Sequence, residues 1–200
     1  MEVHVVNFGE LKRENPDGED VVLTVSKAKD WSKGLSPFYL GPCFLYDGRV
    51  SENMENAWQF SKVYKEHMDE DEISDRYWKW AEEGWADTWA HRYPMGKGAV
   101  PEFSLYDGLR LGYVEARKKI YIPLYRNAVK GTFAFKTLKQ KYDAYKKMDK
   151  DLYLVDFDAY LHKRQNMTYD DVVNNEKRKM GHAFVLAMML EDPEYVNQYE

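Results

Sequence analysis

The sequence predicts a helix-rich α+β fold, a single domain over residues 1–200 in which helices pack a small β-sheet. Three observations predict it. Short runs of β-branched and apolar residues at Val3–Phe8, Val21–Val25 and Leu152–Phe157 have the length of strands, while longer stretches carry apolar residues at helical spacing. A chain of 200 residues can bury enough surface for one core, and no linker, internal repeat or low-complexity tract divides it. The composition, 16% aromatic and 32% charged, belongs to a globular chain, because disordered segments are poor in aromatics.

The elements follow in order. Asn15-Pro16-Asp17-Gly18 is a turn signal, so Val3–Phe8 and Val21–Val25 are predicted to pair as a hairpin. Cys43–Tyr46, closed by Asp47-Gly48, is a third short strand. From Ser51 the chain reads as a helix: Ser51 or Asn53 caps it, Glu55 lies near the positive end of its dipole, and Met54, Trp58 and Ser61 share a stripe. Asp71–Arg92 is a second helical region, with Trp78, Trp85 and Trp89 on one face and Gly84 as a weak point. Tyr113–Val129 is helical with a kink or a new start at Pro123, and Thr132 caps a further helix to about Met148 with a lysine-rich, solvated face. The last helix, about Lys177–Leu190, is apolar on almost every side and is expected at the centre of the fold.

Charge and cysteine content narrow the function classes. A net charge of -5 repels a phosphate backbone and argues against non-specific nucleic-acid binding, although a local basic cleft is compatible with it. Cys43 is the one cysteine, which excludes an internal disulfide and a thiolate-rich metal site. Met1-Glu2-Val3-His4 begins no secretory leader, and the longest apolar run, Ala183–Leu190, is too short to span a bilayer. The expectation is a cytoplasmic protein without membrane attachment.

Four segments carry the chemistry. In Asn53-Met54-Glu55-Asn56-Ala57-Trp58-Gln59-Phe60-Ser61-Lys62, the helical positions i, i+4 and i+7 project Glu55, Gln59 and Lys62 from one face beside the apolar stripe. A carboxyl group there can be held in the protonation state that acid–base chemistry needs; an exposed, merely solubilising face is the plainer alternative. In Arg92-Tyr93-Pro94-Met95-Gly96-Lys97-Gly98-Ala99, small glycines beside two cations allow close approach to an anion, although no Walker pattern is present. Asp156 and Asp158 close the apolar run Leu152–Phe157, where a rigid strand end faces solvent; one of them is expected to cap the following turn. With His162 they also suggest a divalent-metal set of the kind a nucleotide-sugar transferase uses. Finally, Asn174–His182 leads into the apolar terminal helix, whose start offers backbone donors to a phosphate.

The order of these residues resembles the NADAR superfamily. Ser36-Pro37-Phe38-Tyr39, then Tyr46-Asp47-Gly48, then Glu55-Asn56-Ala57-Trp58-Gln59 with Lys62 is similar to that family's opening motif. Its members combine helices with a small sheet and cleave N-glycosidic bonds in ADP-ribosylated guanine or in phosphoribosylated pathway intermediates. The resemblance implies that Glu55 is catalytic with Gln59 and Lys62 in support, that Arg92 and Lys97 contact phosphate, and that Asp156 and Asp158 serve the ribose. It further implies ligand contacts from Phe38, Tyr39, Trp85, Tyr113 and His182, with no cofactor and no metal. The ligand would be a small nucleotide or ADP-ribosyl compound, free or carried on modified nucleic acid; the oligomeric state stays open. Pro37 stands where the family commonly has asparagine, and Ala159-Tyr160 replaces its Trp-Gly pair. The alternatives are a protein that sequesters an ADP-ribose-type or cyclic nucleotide signal without cleaving it, and a nucleotide-sugar transferase. The hydrolytic reading requires the Glu55 carboxyl to turn inward over a cavity with cations in reach.

Overall fold

A computed structural model describes all 200 residues. Its centre is a three-stranded parallel sheet in which Leu152–Val155 lies between Val3–Val6 and Val21–Leu23. The two early strands therefore do not form the predicted hairpin. The reason lies in Phe8–Glu14, which is a helix: Asn7 Oδ1 accepts from the Glu10 N–H and the Glu10 carboxylate accepts from the Asn7 N–H, a capping box. Asn15, at φ 46°, stops that helix, so the Asn-Pro-Asp-Gly turn ends a crossover instead of reversing a strand. Val3, Val5, Leu152 and Leu154 are fully buried on one face and Val6 and Val155 on the other, as expected of a parallel sheet covered on both faces.

The helix that covers the sheet, His182–Glu191, is buried from His182 to Leu190. It starts five residues later than expected, because Lys177–Gly181 crosses its end as a non-helical strap. The remaining sheets are small. Cys43–Phe44 pairs with Val50–Ser51, Met68–Asp69 with Glu72–Ile73, and Lys62–Val63 with Phe103–Tyr106, which in turn pairs with Leu109–Leu111. No helix is long and apolar enough to cross a membrane.

Of two further helical segments, the first sets a wall of the cavity described below and the second packs a separate core. Tyr113–Val129 is one continuous rod, but its middle, Arg117–Tyr121, widens into a π-helical turn before Ile122–Val129 resumes. Pro123 has no N–H to give the carbonyl four residues earlier, and the wide turn just before it takes up that gap without a sharp kink. Asp75–Ala86 runs unbroken through Gly84 and ends well before Arg92, leaving Trp89 exposed beyond it. Gly84 is needed for packing: a β-carbon there would stand 2.1 Å from the Phe60 ring. Gly84→Ala should therefore lower unfolding free energy by about 1–3 kcal/mol, the usual cost of overpacking, as read by urea denaturation.

Candidate active site

One cavity of about 480 Å³ opens between the end of the Leu152–Val155 strand, the Met54–Gln59 helix, the Tyr113–Tyr121 rod and the 177–181 strap. That volume suits a nucleotide-sized ligand. Glu55 lies in its wall at 9% exposure, so the inward carboxyl required by the sequence reading is present.

Local capping explains the placement. Asn53 Oδ1 accepts from the Asn56 N–H and starts the short helix, and the Glu55 N–H donates to the Pro37 carbonyl, which ties the Phe38 loop to it. Asn56, buried next to Glu55, donates to the carbonyls of Asp87 and Trp89 and accepts from the His91 N–H at 2.8 Å. One amide thus fixes the loop that carries Arg92.

A polar relay runs from the inner face of this helix to the strand after it: the helix ends at Gln59, so Lys62 reaches the relay from the start of the Lys62–Val63 strand and not from the predicted i+7 position of one helix face. Lys62 Nζ donates to Gln59 Oε1 at 3.0 Å, and Gln59 Nε2 donates to Glu55 Oε1 at 3.0 Å. Burial pushes the Glu55 pKa up; the Gln59 hydrogen bond and the charges of Lys62, Arg92 and His182 pull it back only in part. Burial also brings Lys62 down to about 8, against the attraction of Glu55. The ammonium sits 5.1 Å from the centre of the Trp58 ring.

The opposite wall holds a buried ion pair. His182 Nδ1 is 3.0 Å from Asp156 Oδ2, and its Nε2 donates to the Thr24 carbonyl at 2.7 Å. A carbonyl can only accept, so with the carboxylate on the other nitrogen the ring is an imidazolium. Burial alone would lower the His182 pKa, but Asp156 and the Thr24 carbonyl outweigh it and raise it; burial alone would raise that of Asp156, but His182 and two backbone amides hold it below the ordinary range. Those amides belong to Phe157, at 2.7 Å, and Ala183, at 3.3 Å. Asp156 therefore occupies the start of the terminal helix that the sequence had offered to a phosphate. Gly181 makes this approach possible, since a β-carbon there would lie 2.2 Å from Asp156 Oδ2.

A family model described as a family of unknown function, DUF6939, matches residues 4–186. The chain belongs to the DUF6939 family. No curated protein and no solved structure matches it. Every wall of the cavity falls inside the matched span, so the cavity lies within the DUF6939 domain itself.

Nine of the twelve residues singled out from this DUF6939 sequence meet around the cavity. Glu55, Gln59, Lys62, Asp156 and His182 are described above. Phe38 and Tyr113 line it, and Asp158 stands 3.9 Å from the Arg92 guanidinium, which lies 4.8 Å from the Phe157 ring. The other three lie elsewhere. Trp85 is in a separate apolar cluster with Phe60, Tyr77 and Ala81, because its place on the Asp75–Ala86 helix turns it into that core. Tyr39 is exposed, with the Lys33 ammonium 4.6 Å from its ring centre, while its neighbour Phe38 faces inward. Lys97 is exposed outside the cavity; Gly96 and Gly98, at φ 94° and 88°, bend the backbone there so that the glycines border the cavity and Lys97 does not. His162 is buried against Tyr169 and Phe184, away from Asp156 and Asp158, and no cluster of three His, Cys, Asp or Glu side chains has the arrangement to hold a metal ion.

Sequence reasoning missed Arg117 and Tyr121. Both line the cavity from the π-turn, and their spacing of four residues within a helical segment was the available signal. Tyr121 is wedged edge-on to Trp58 and parallel to Tyr125, and burial drives its hydroxyl pKa well upward, so it stays protonated.

The ion pair makes stability depend on pH in a stated direction. The His182 contribution is complete below 6.5 and is lost as pH rises through its raised folded value; that of Asp156 is complete above 3.8 and is lost as pH falls through its lowered one. Unfolding free energy measured by urea should be highest between those limits and decline on the alkaline side. Asp156→Asn, which leaves the imidazolium unpaired, should cost about 3–5 kcal/mol, and a neutral cost would refute the pairing.

Proposed function

We propose that the cavity hydrolyses the N-glycosidic bond of an ADP-ribosyl or related nucleotide compound, with Glu55 as the catalytic carboxylate. The observation that carries this reading is the Glu55 side chain itself: buried in the cavity wall, pushed up in pKa, and held in orientation by Gln59 and Lys62. A carboxylate with a raised pKa is a stronger base than an ordinary glutamate, which suits removal of a proton from water.

In the proposed reaction, ionised Glu55 takes a proton from a water as the water oxygen bonds to C1′. The C1′–N bonding pair leaves with the base nitrogen, and that nitrogen takes a proton from an acid. Lys62 at about 8 is acidic enough to give one near neutral pH. Positive charge that develops on the ribose during cleavage is stabilised by the same carboxylate. In this reaction Asp158, in the cavity lining, orients ribose hydroxyls, and Asp156 acts by fixing the wall. Phe38, Tyr113 and Phe157 offer faces on which a base can stack.

The transferase alternative needs Asp156 and Asp158 to share a divalent ion. Asp156 is already engaged by His182 and two amides, which removes the support for that reading.

Glu55→Gln keeps the shape and the Gln59 contact and should lower turnover of ADP-ribosylated guanosine about 10²–10⁴-fold with the fold intact by circular dichroism. Full activity in this variant excludes the assignment, and recovery of unconverted nucleotide from denatured wild-type protein favours sequestration. The pH profile of kcat/KM should rise on an acid limb above the usual glutamate range and fall near pH 8, where Lys62 loses its proton. Lys62→Met should remove the alkaline limb.

A further inference from the structure

Arg117 is 1% exposed and lines the cavity, yet no carboxylate pairs with it. Its Nη1 donates to the carbonyls of Val172, Val173 and Asn175, and its Nη2 to that of Arg178. Its Nε is buried without any partner. The guanidinium rests 4.2 Å from the centre of the Tyr113 ring. A full positive charge is thus kept in the interior, offset only by carbonyl dipoles and a π-face.

The carbonyls that Arg117 gathers belong to the segment leading into Lys177-Arg178-Lys179, so its burial clamps this strap against the cavity. Arg178 is spoken for by Gln165 and the Tyr160 ring. Lys177 and Lys179 line the cavity, and neither forms an ion pair. In a chain of net charge -5, the lining of this hollow is cationic on balance, with six Lys and Arg side chains against four carboxyl groups. The cations extend from a buried level at Arg117 to exposed lysines on the strap.

We infer that the wall made by Arg117 and the Lys177–Lys179 strap is a binding site for a diphosphate group, with Lys177 and Lys179 as donors and Arg117 as fixed charge and clamp. A diphosphate carries more negative charge than a single phosphate and so gains more from this cationic lining. The site belongs to the cavity assigned above to a glycosidic ligand, and it refines that ligand to one carrying a diphosphate; the inference itself rests on charge and burial and needs no turnover.

The experiment is calorimetric titration of the full chain with inorganic pyrophosphate, inorganic phosphate and sulfate at two salt concentrations. Pyrophosphate should bind with strong salt dependence and at least about tenfold more tightly than phosphate. Lys177→Ala/Lys179→Ala should weaken it by about tenfold or more, whereas Lys139→Ala/Lys146→Ala on an exposed helix should leave it unchanged. Glu55→Gln should retain pyrophosphate binding, so a failed glycosidase assignment and a failed diphosphate site give different results. Arg117→Met should weaken binding with the lysines intact; if that variant does not fold, the lysine pair decides. Absence of pyrophosphate binding, equal binding of sulfate, or indifference to the lysine pair overturns the proposal.

Discussion

The pair between Asp156 and His182 is the constraint on which the site depends. It joins the end of the central strand to the start of the buried helix, and through the Thr24 carbonyl it reaches the edge of the parallel sheet. Thr24 closes the loop by donating from both its N–H and its Oγ1 to the Val155 carbonyl. Three separate elements are thereby held at one corner, and the cavity opens from that corner. Charge placed so deep costs desolvation, and it is tolerated because each polar atom of the pair has a partner.

Across the hollow, burial acts on Glu55 and Lys62 in opposite senses. It makes the carboxyl more reluctant to lose its proton and the ammonium readier to lose one, and the intervening Gln59 keeps the two from collapsing into a simple ion pair. An amide that donates to one and accepts from the other can do this because it has both functions on one head group. A proton-handling pair is more useful when its members sit nearer to each other in proton affinity than free glutamate and lysine do.

Much of this was legible in the chain. The helix-rich α+β class, the Glu55-Gln59 face, and the meeting of Arg92, Asp158 and His182 follow from periodicity, strand-end chemistry and the positions of glycines and helix starts, while Lys62 joins them from a strand and not from the helix. What escaped did so for physical reasons. A hairpin and a parallel crossover present the same two β-branched runs, and only the capping box at Asn7 and Glu10 tells them apart. Trp85 and Phe38 are both aromatic, but which one meets the cavity depends on the face each element turns toward a core that is not local in sequence. Arg117 gave no motif at all, because its partners are carbonyls, which every residue has.

The wide turn at Arg117–Tyr121 sets the angular phase between two halves of one rod. Residues after it are governed by the core, where Ile122, Leu124 and Tyr125 must pack; before it, Tyr113 faces the cavity. A regular helix advances on the order of 100° per residue, so taking one residue out of the turn would rotate Tyr113 away from the hollow while leaving the packed half undisturbed. The extra residue acts as a gear between two surfaces, letting the wall vary without asking the interior to repack.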